Sequence, residues 1–310
     1  MSLLDVFVNN LLPVFLCAGA GLAVGRAFRP DLRTVSRLSF YIFSPCLVFS
    51  SLTGTTVTGA EFGQLTVFTL GMVVVMALLA AALGLALRLD RRTWATLVVA
   101  AAFVNSGNYG LAATRFAFGE DALARAVIFY VISTITAYTL GIFVAALGGQ
   151  NVRGALREVV SVPAFYAVIA AGLIRGLNWP VPAFLERSLG LLGDAAIPVM
   201  LVLLGLQMAA IRPRAEAWPP RRKVVLAIAT ALQLVVAPLA ALMLAGAVEL
   251  RGITWQAAVL EAAMPAAVLT TVLALQYDLD AELMTLAVVL TTVLSPLTLT
   301  PLILYLQAGV

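Results

Sequence analysis

Apolar residues do not alternate with polar ones along this chain. They gather into long runs parted by short polar connections. Ten runs are legible, at about 7–27, 35–53, 64–87, 93–116, 121–147, 161–177, 185–210, 223–248, 254–276 and 281–307. Runs of this length suit a helix crossing a hydrocarbon core, which needs roughly 20 apolar residues. The alternation and turn spacing of a membrane barrel are absent. The pattern predicts an all-α polytopic membrane protein with ten transmembrane helices. The longest connection, 148–160, leaves no room for a soluble domain. The first run carries no basic residues ahead of it and no convincing cleavage site. It reads as a spanning helix and not as a signal peptide.

Composition sharpens this picture. The chain is 62% hydrophobic and 11% charged, against about 25% charged in a soluble domain. Most of the 19 cationic residues follow odd-numbered runs: Arg26, Arg29, Arg33, Arg37, Arg88, Arg91, Arg92, Arg153, Arg157, Arg212, Arg214, Arg221, Arg222 and Lys223. Arg115, Arg125, Arg175, Arg187 and Arg251 fall on the other side. Basic connections face the cytoplasm, so both termini are expected outside it, in the cell (inner) membrane. This topology accounts for the net charge of +4 without a nucleic-acid partner. Histidine is absent, which removes the commonest general base and metal ligand. Cys17 and Cys46 both sit in apolar runs and read as packing residues. No enzymatic activity and no cofactor beyond a coupling ion are expected.

The chain also resembles itself. Thr93-Trp94 opens the fourth run and Thr254-Trp255 the ninth, an offset of 161 residues. The same offset matches Val98 with Val259, Ala101-Ala102 with Ala262-Ala263, Val127 with Val288 and Thr139 with Thr300. Pro13 and Pro45 of the first half have counterparts in Pro163 and Pro198. Five helices per half is an odd number, so the halves must insert with opposite orientation. Inverted repeats of this kind mark secondary transporters. The expected units are 1–147 as the first repeat (helices 1–5), 148–160 as a cytoplasmic linker, and 161–310 as the second repeat (helices 6–10).

One stretch is out of character with its surroundings. Asn105-Ser106-Gly107-Asn108-Tyr109-Gly110 interrupts the middle of the fourth run. Non-helical backbone at membrane depth is tolerated only where it is buried in protein or lines a cavity. A seam of small residues between packed helices is the competing explanation. The offset carries this stretch onto 266–271, directly after Pro265, which breaks the ninth run by removing a backbone donor. Two broken helices crossing near the bilayer centre would point half-helix ends at an anion. The candidate substrate-binding residues are Asn105, Ser106, Gly107, Asn108, Gly110, Pro265, Ala266, Thr270, Thr271 and, in the second run, Ser44.

These residues resemble a known family. NSGNYGLAATRFAFGEDALARAVIFYV and AAMPAAVLTTVLALQYDLDAELMTLAVVLTT, with FYIFSPCLVFSSL and DAAIPVMLVLLGLQM, are similar to the auxin efflux carrier family, which includes plant carriers and bacterial organic-acid permeases. The resemblance implies crossed, broken helices 4 and 9. It also implies a scaffold domain of helices 1, 2, 6 and 7, with a transport domain of helices 3–5 and 8–10. The transport domain would move as an elevator, in a homodimer. Asn105 matches the family's crossover asparagine, which faces a substrate carboxylate, and Pro265 matches the proline before the second crossover. Gly110-Leu111-Ala112 departs from relatives that carry proline at the third position. The plant carriers also have a second proline where Thr270 stands, and a long central loop that is missing here. The expected function is a secondary active transporter of small organic anions such as auxin-like acids or dicarboxylates.

Two carboxylates lie within runs, each four residues before a proline: Asp194 before Pro198 and Glu261 before Pro265. An ionisable group inside a membrane is a functional candidate by default. Asn105, Ser133 and Thr134 could join Glu261 around sodium, since hard cations take oxygen ligands. Sodium-coupled bile-acid carriers share this architecture and place a site among the same helices, so a sodium symporter of larger amphipathic anions is the alternative. A proton carried on Glu261 serves equally well at this stage. Asp194 is the second ion-coupling candidate. Gly193-Asp194 and Tyr277-Asp278 faintly resemble intramembrane aspartyl proteases, but in reversed order. A passive channel is the remaining rival.

Overall fold

The computed structural model describes residues 2–141, 162–210 and 218–309. The expected linker 148–160, the end of the fifth run, and Arg153, Arg157, Arg212 and Arg214 lie outside the described residues. The described chain is helical throughout, apart from its connections and one isolated β-bridge. Among the described residues, six helices are long and apolar enough to cross a membrane: α1 (Leu3–Phe28), α2 (Leu32–Thr53), α3 (Gly59–Ala86), α6 (Glu120–Thr139), α8 (Ala183–Ala210) and α9 (Pro220–Ala247). A seventh span results if α12 (Ala281–Leu294) and α13 (Pro296–Ala308), bent by 50° at Ser295, are counted together. The other expected runs hold shorter pieces. Run 4 is α4 (Arg91–Ala102) and α5 (Leu111–Phe118), run 6 is α7 (Pro163–Gly176), and run 9 is α10 (Gly252–Ala262) and α11 (Leu269–Gln276). The protein is a polytopic helical membrane protein.

Local sequence explains where the helices start and why several are irregular. Thr58 and Glu61 cap α3 reciprocally, with the Glu61 N–H donating to Thr58 Oγ1 at 3.2 Å and the Thr58 N–H to Glu61 Oε2 at 2.8 Å. This satisfies donors that a helix start leaves free. Asp90 accepts from the Thr93 N–H at 3.0 Å to begin α4. Its bonds to the Thr93 side chain and backbone hold the Asp90 carboxyl below the usual range. Proline inside a helix lacks a donor and crowds the preceding turn. Here Pro13, Pro45 and Pro238 each follow a widened π-turn, at Phe7–Leu11, Ser39–Phe43 and Leu232–Val236. The wider turn absorbs the crowding, and the helix continues.

α1 and α8 lie so close that a Cβ on Gly205 would overlap the Ala18 carbonyl. Small residues let membrane helices approach in this way. Charged clamps tie other helices together at both ends. At one end, buried Arg125 of α6 bonds Glu61 Oε1 of α3 at 2.7 Å and Thr254 Oγ1 of α10 at 2.9 Å. At the other end, Arg222 of α9 pairs with Asp280 and, at 3.1 Å, with Glu282 of α12, and it stacks 4.2 Å above the Trp218 ring. Arg92 of α4 meets Asp278 at 3.0 Å beside this cluster. Among the described residues, every ion pair lies within the set α3–α6 and α9–α13.

Candidate functional site

The two breaks hold each other. After α4 ends at Ala102, Phe103 turns extended (φ −119°, ψ 120°). The Asn105 N–H donates to the Pro265 carbonyl at 2.7 Å, and the Ala267 N–H donates to the Phe103 carbonyl at 3.0 Å. Val104 and Ala266 thus form an antiparallel bridge between the interrupted helices. The Thr291 hydroxyl of α12 accepts from the Ala266 N–H at 3.2 Å. Gln233 reaches in from the π-turn of α9, and its Nε2 donates to the Ala100 carbonyl at 2.7 Å and to the Ala101 carbonyl at 3.3 Å. These bonds satisfy the backbone that helix breakage frees, as a membrane interior demands. The chain then re-enters helix through a wide turn, Ser106–Gly110, with the Tyr109 and Gly110 N–H groups both donating to the Asn105 carbonyl.

A cavity of about 400 Å³ opens beside this junction. Asn105, Ser106, Gly107 and Asn108 line it, together with Ser133 and Thr134 of α6. Its far wall comes from α2 and α8 and includes Arg37 and Gln207. Asn105 is buried, and its side-chain Nδ2 has no hydrogen-bond partner among the described residues. An unpaired buried donor costs about 1–3 kcal/mol, so a group that accepts from it is favoured there. Ser44 does not line the cavity. Its hydroxyl lies 3.0 Å from Tyr130 Oη, and Tyr130 does line it. The Tyr130 ring rests where a Cβ on Gly107 would be.

Glu261 sits on the other side of the crossing. It is fully buried, accepts from the Thr114 hydroxyl at 2.9 Å through Oε1, and has no partner for Oε2 among the described residues. The backbone at Gly110 passes so near that a Cβ there would overlap the Glu261 carboxylate. Pro265 and Ala266 contribute their backbone to the bridge. Thr270 and Thr271 turn their hydroxyls onto the carbonyls of Ala267 and Val268 at 2.5 and 2.7 Å. Thr271 also lines a second cavity, of about 790 Å³.

Asp194 is exposed on α8, and no hydrogen bond or ion pair joins it to these residues. Asp278, its partner in the protease comparison, is paired with Arg92. Cys17 and Cys46 are both free thiols. Neither Gln207 nor Gln233 was among the expected site residues. The signal for both was available, since each is a lone amide within an apolar run, where a polar group needs a partner or a cavity.

Interrupted helices meeting beside a cavity lined in part by buried polar residues, in a multi-pass helical protein, fit a membrane transport protein. The chain belongs to the family described as membrane transport protein, the auxin efflux carrier family, which matches residues 6–154 and 152–303. It is similar to a protein named "Uncharacterized transporter" of Methanothermobacter thermautotrophicus, 29% identical over 86% of each chain. A Rhizobium meliloti protein named "Putative malonate transporter" is 27% identical over 87% of this chain and 85% of its own. "Auxin efflux carrier component 1" of Arabidopsis thaliana is 34% identical over 36% of this chain and 17% of its own length.

Proposed function

We propose that this protein is a secondary active transporter of small organic anions, carboxylates foremost, that works by an elevator motion. The observation that carries the reading is the buried, unpartnered Asn105 Nδ2 at the joined helix breaks, beside a cavity of about 400 Å³. A carboxylate oxygen is its natural acceptor, and nearby half-helix starts favour negative charge. The printed names of two relatives, one a putative malonate transporter and one an auxin efflux carrier component, agree with this substrate class.

On this reading the ten runs are ten spans in two inverted repeats, with α4–α5 and α10–α11 as the broken fourth and ninth. The ion-pair pattern supports that threading. Arg92, Arg222, Asp278, Asp280 and Glu282 all lie in or next to connections after odd runs, whereas Glu61, Arg125 and Thr254 lie in or next to connections after even ones. The first group would face the cytoplasm, with both termini outside the cytoplasm. The charged clamps would hold α3–α6 and α9–α13 as the moving body, against a scaffold of α1, α2, α7 and α8. The resemblance extends this to a homodimer.

Glu261 is the proposed coupling residue. An unpaired carboxylate in an apolar interior must be neutralised to be tolerated. Thr114 supplies the one hydroxyl bonded to it among the described residues, whereas a hard cation needs several oxygens. That arrangement favours a proton over sodium. The test of the function is a thermal-shift screen of the purified protein against mono- and dicarboxylates, indole acids and bile-acid-like amphipaths. A bound substrate stabilises by mass action. Stabilisation by carboxylates is the expected result; stabilisation by cations or neutral solutes alone would defeat the assignment.

A further inference from the structure

Arg92, Arg115, Arg125 and Arg222 are each paired with a carboxylate. Arg26 and Arg29, at the end of the spanning helix α1, are not. Among the described residues their side chains meet no carboxylate and make no hydrogen bond. Asp31, the nearest acid along the chain, is taken up in starting α2. It accepts from the N–H groups of Arg33 and Thr34 at 3.1 and 3.2 Å and from the Thr34 hydroxyl at 2.6 Å. Arg29 itself is the left-handed cap of α1 (φ 48°, ψ 54°). It lines a cavity of about 370 Å³ together with Arg26. Gly25 and, from α8, Leu206, Ala209 and Ala210 supply apolar wall. The two helices touch here, since a Cβ on Gly25 would overlap the Ala209 Cβ. One turn apart on the same helix, Val24 and Phe28 are 42% and 79% exposed. The cleft thus carries two uncompensated cations where a spanning helix ends, with bare apolar side chains alongside.

We propose that this cleft between the ends of α1 and α8 binds an anionic phospholipid. The phosphate accepts from the guanidinium groups of Arg26 and Arg29, which suit phosphate oxygens by their planar, multiple donors. The acyl chains lie along Val24 and Phe28. The last turn of a spanning helix stands at the level of the headgroups, and basic pockets between spanning helices are places where acidic headgroups settle. Cations at a helix C-terminus also offset its negative end, but that role needs no space between them. The site is separate from the cavity at the helix breaks, and it requires only that the chain spans a bilayer. In the elevator reading α1 and α8 belong to the scaffold, so the bound lipid would hold the stationary body at a fixed depth.

The test is a thermal-shift titration of delipidated protein in an uncharged detergent, with phosphatidylglycerol, phosphatidylcholine or inorganic phosphate as the probe. For the wild type, phosphatidylglycerol should half-saturate at a concentration about tenfold or more below phosphatidylcholine. Arg26→Gln with Arg29→Gln should bring the ratio to within about threefold. Arg26→Lys with Arg29→Lys should fall between, since lysine keeps the charge and loses the fork; this variant carries the test if the glutamine pair does not fold. Arg88→Gln with Arg91→Gln removes the same charge from another connection after an odd run, and it should leave the ratio at the wild-type value. An equal loss in that control would mean that diffuse charge, and not the cleft, attracts the lipid. No preference in the wild type would overturn the proposal. So would stabilisation by inorganic phosphate at the same concentrations as phosphatidylglycerol, because the cleft would then be a site for a soluble anion.

Discussion

The backbone N–H of Asn105 donates to the carbonyl of Pro265, 2.7 Å away. With the bond from the Ala267 N–H to the Phe103 carbonyl, it joins the two interrupted helices across about 160 residues of chain. The Asn105 side chain makes no capping bond to the turn that follows. Its Nδ2 is buried without a partner among the described residues, at the edge of a cavity. A binding group fixed by its own backbone loses little entropy when a ligand arrives.

Glu261 shares this junction, and its substitution separates carrier from coupling. Glu261→Gln keeps the shape and removes the ionisable group. In proteoliposomes the variant should exchange internal for external substrate yet fail to accumulate it against an imposed pH gradient. Wild-type accumulation should be indifferent to sodium at fixed pH. Accumulation by Glu261→Gln at the wild-type level would show that the carboxyl is structural.

Gly110 tests the packing of the same carboxylate. A Cβ at this position would overlap Glu261, so Gly110→Ala should destabilise the protein by about 1–3 kcal/mol, the usual cost of overpacking. Shortening the opposing side chain as well, in Gly110→Ala with Glu261→Ala, should return part of that loss, because contacting residues do not act additively. Thermal unfolding in detergent reads both effects. Equal melting of Gly110→Ala and wild type would mean that the close approach is not real.

Arg125 anchors three helices at once. Arg125→Met leaves the Glu61 carboxylate and the Thr254 hydroxyl without their cation. Losing one member of a buried pair costs about 3–5 kcal/mol; the partial exposure of Glu61, 23% of its side chain, should keep the cost at the lower end. A melting temperature equal to wild type would show that α3, α6 and α10 are held by apolar packing alone.

How much of this was legible beforehand depends on the kind of residue. Asn105 and Gly110 announced the first break because two amides and two glycines are foreign to an apolar run, and Pro265 announced the second. The offset of 161 then placed 105–110 opposite 266–271, where the Val104–Ala266 bridge is found. Asp194 and Glu261 look alike in sequence, each four residues before a proline. Glu261 is enclosed by α5 and the bridge, whereas Asp194 is exposed on α8. No local pattern separates them, because burial is decided by helices far away in the chain. Arg37 was invisible for a similar reason. It reads as one of several basic residues at a helix start, and only the fold brings it to the cavity wall.

The central claim is that Asn105 holds the substrate carboxylate, and it is tested most directly by titrating wild type and Asn105→Ala with the carboxylate that the screen identifies. Binding should weaken by about 1–3 kcal/mol, roughly five- to 150-fold in affinity, while the melting temperature without ligand stays near that of wild type. A variant that melts earlier yet binds the carboxylate as tightly as wild type would contradict the account and make Asn105 a packing residue of the helix junction.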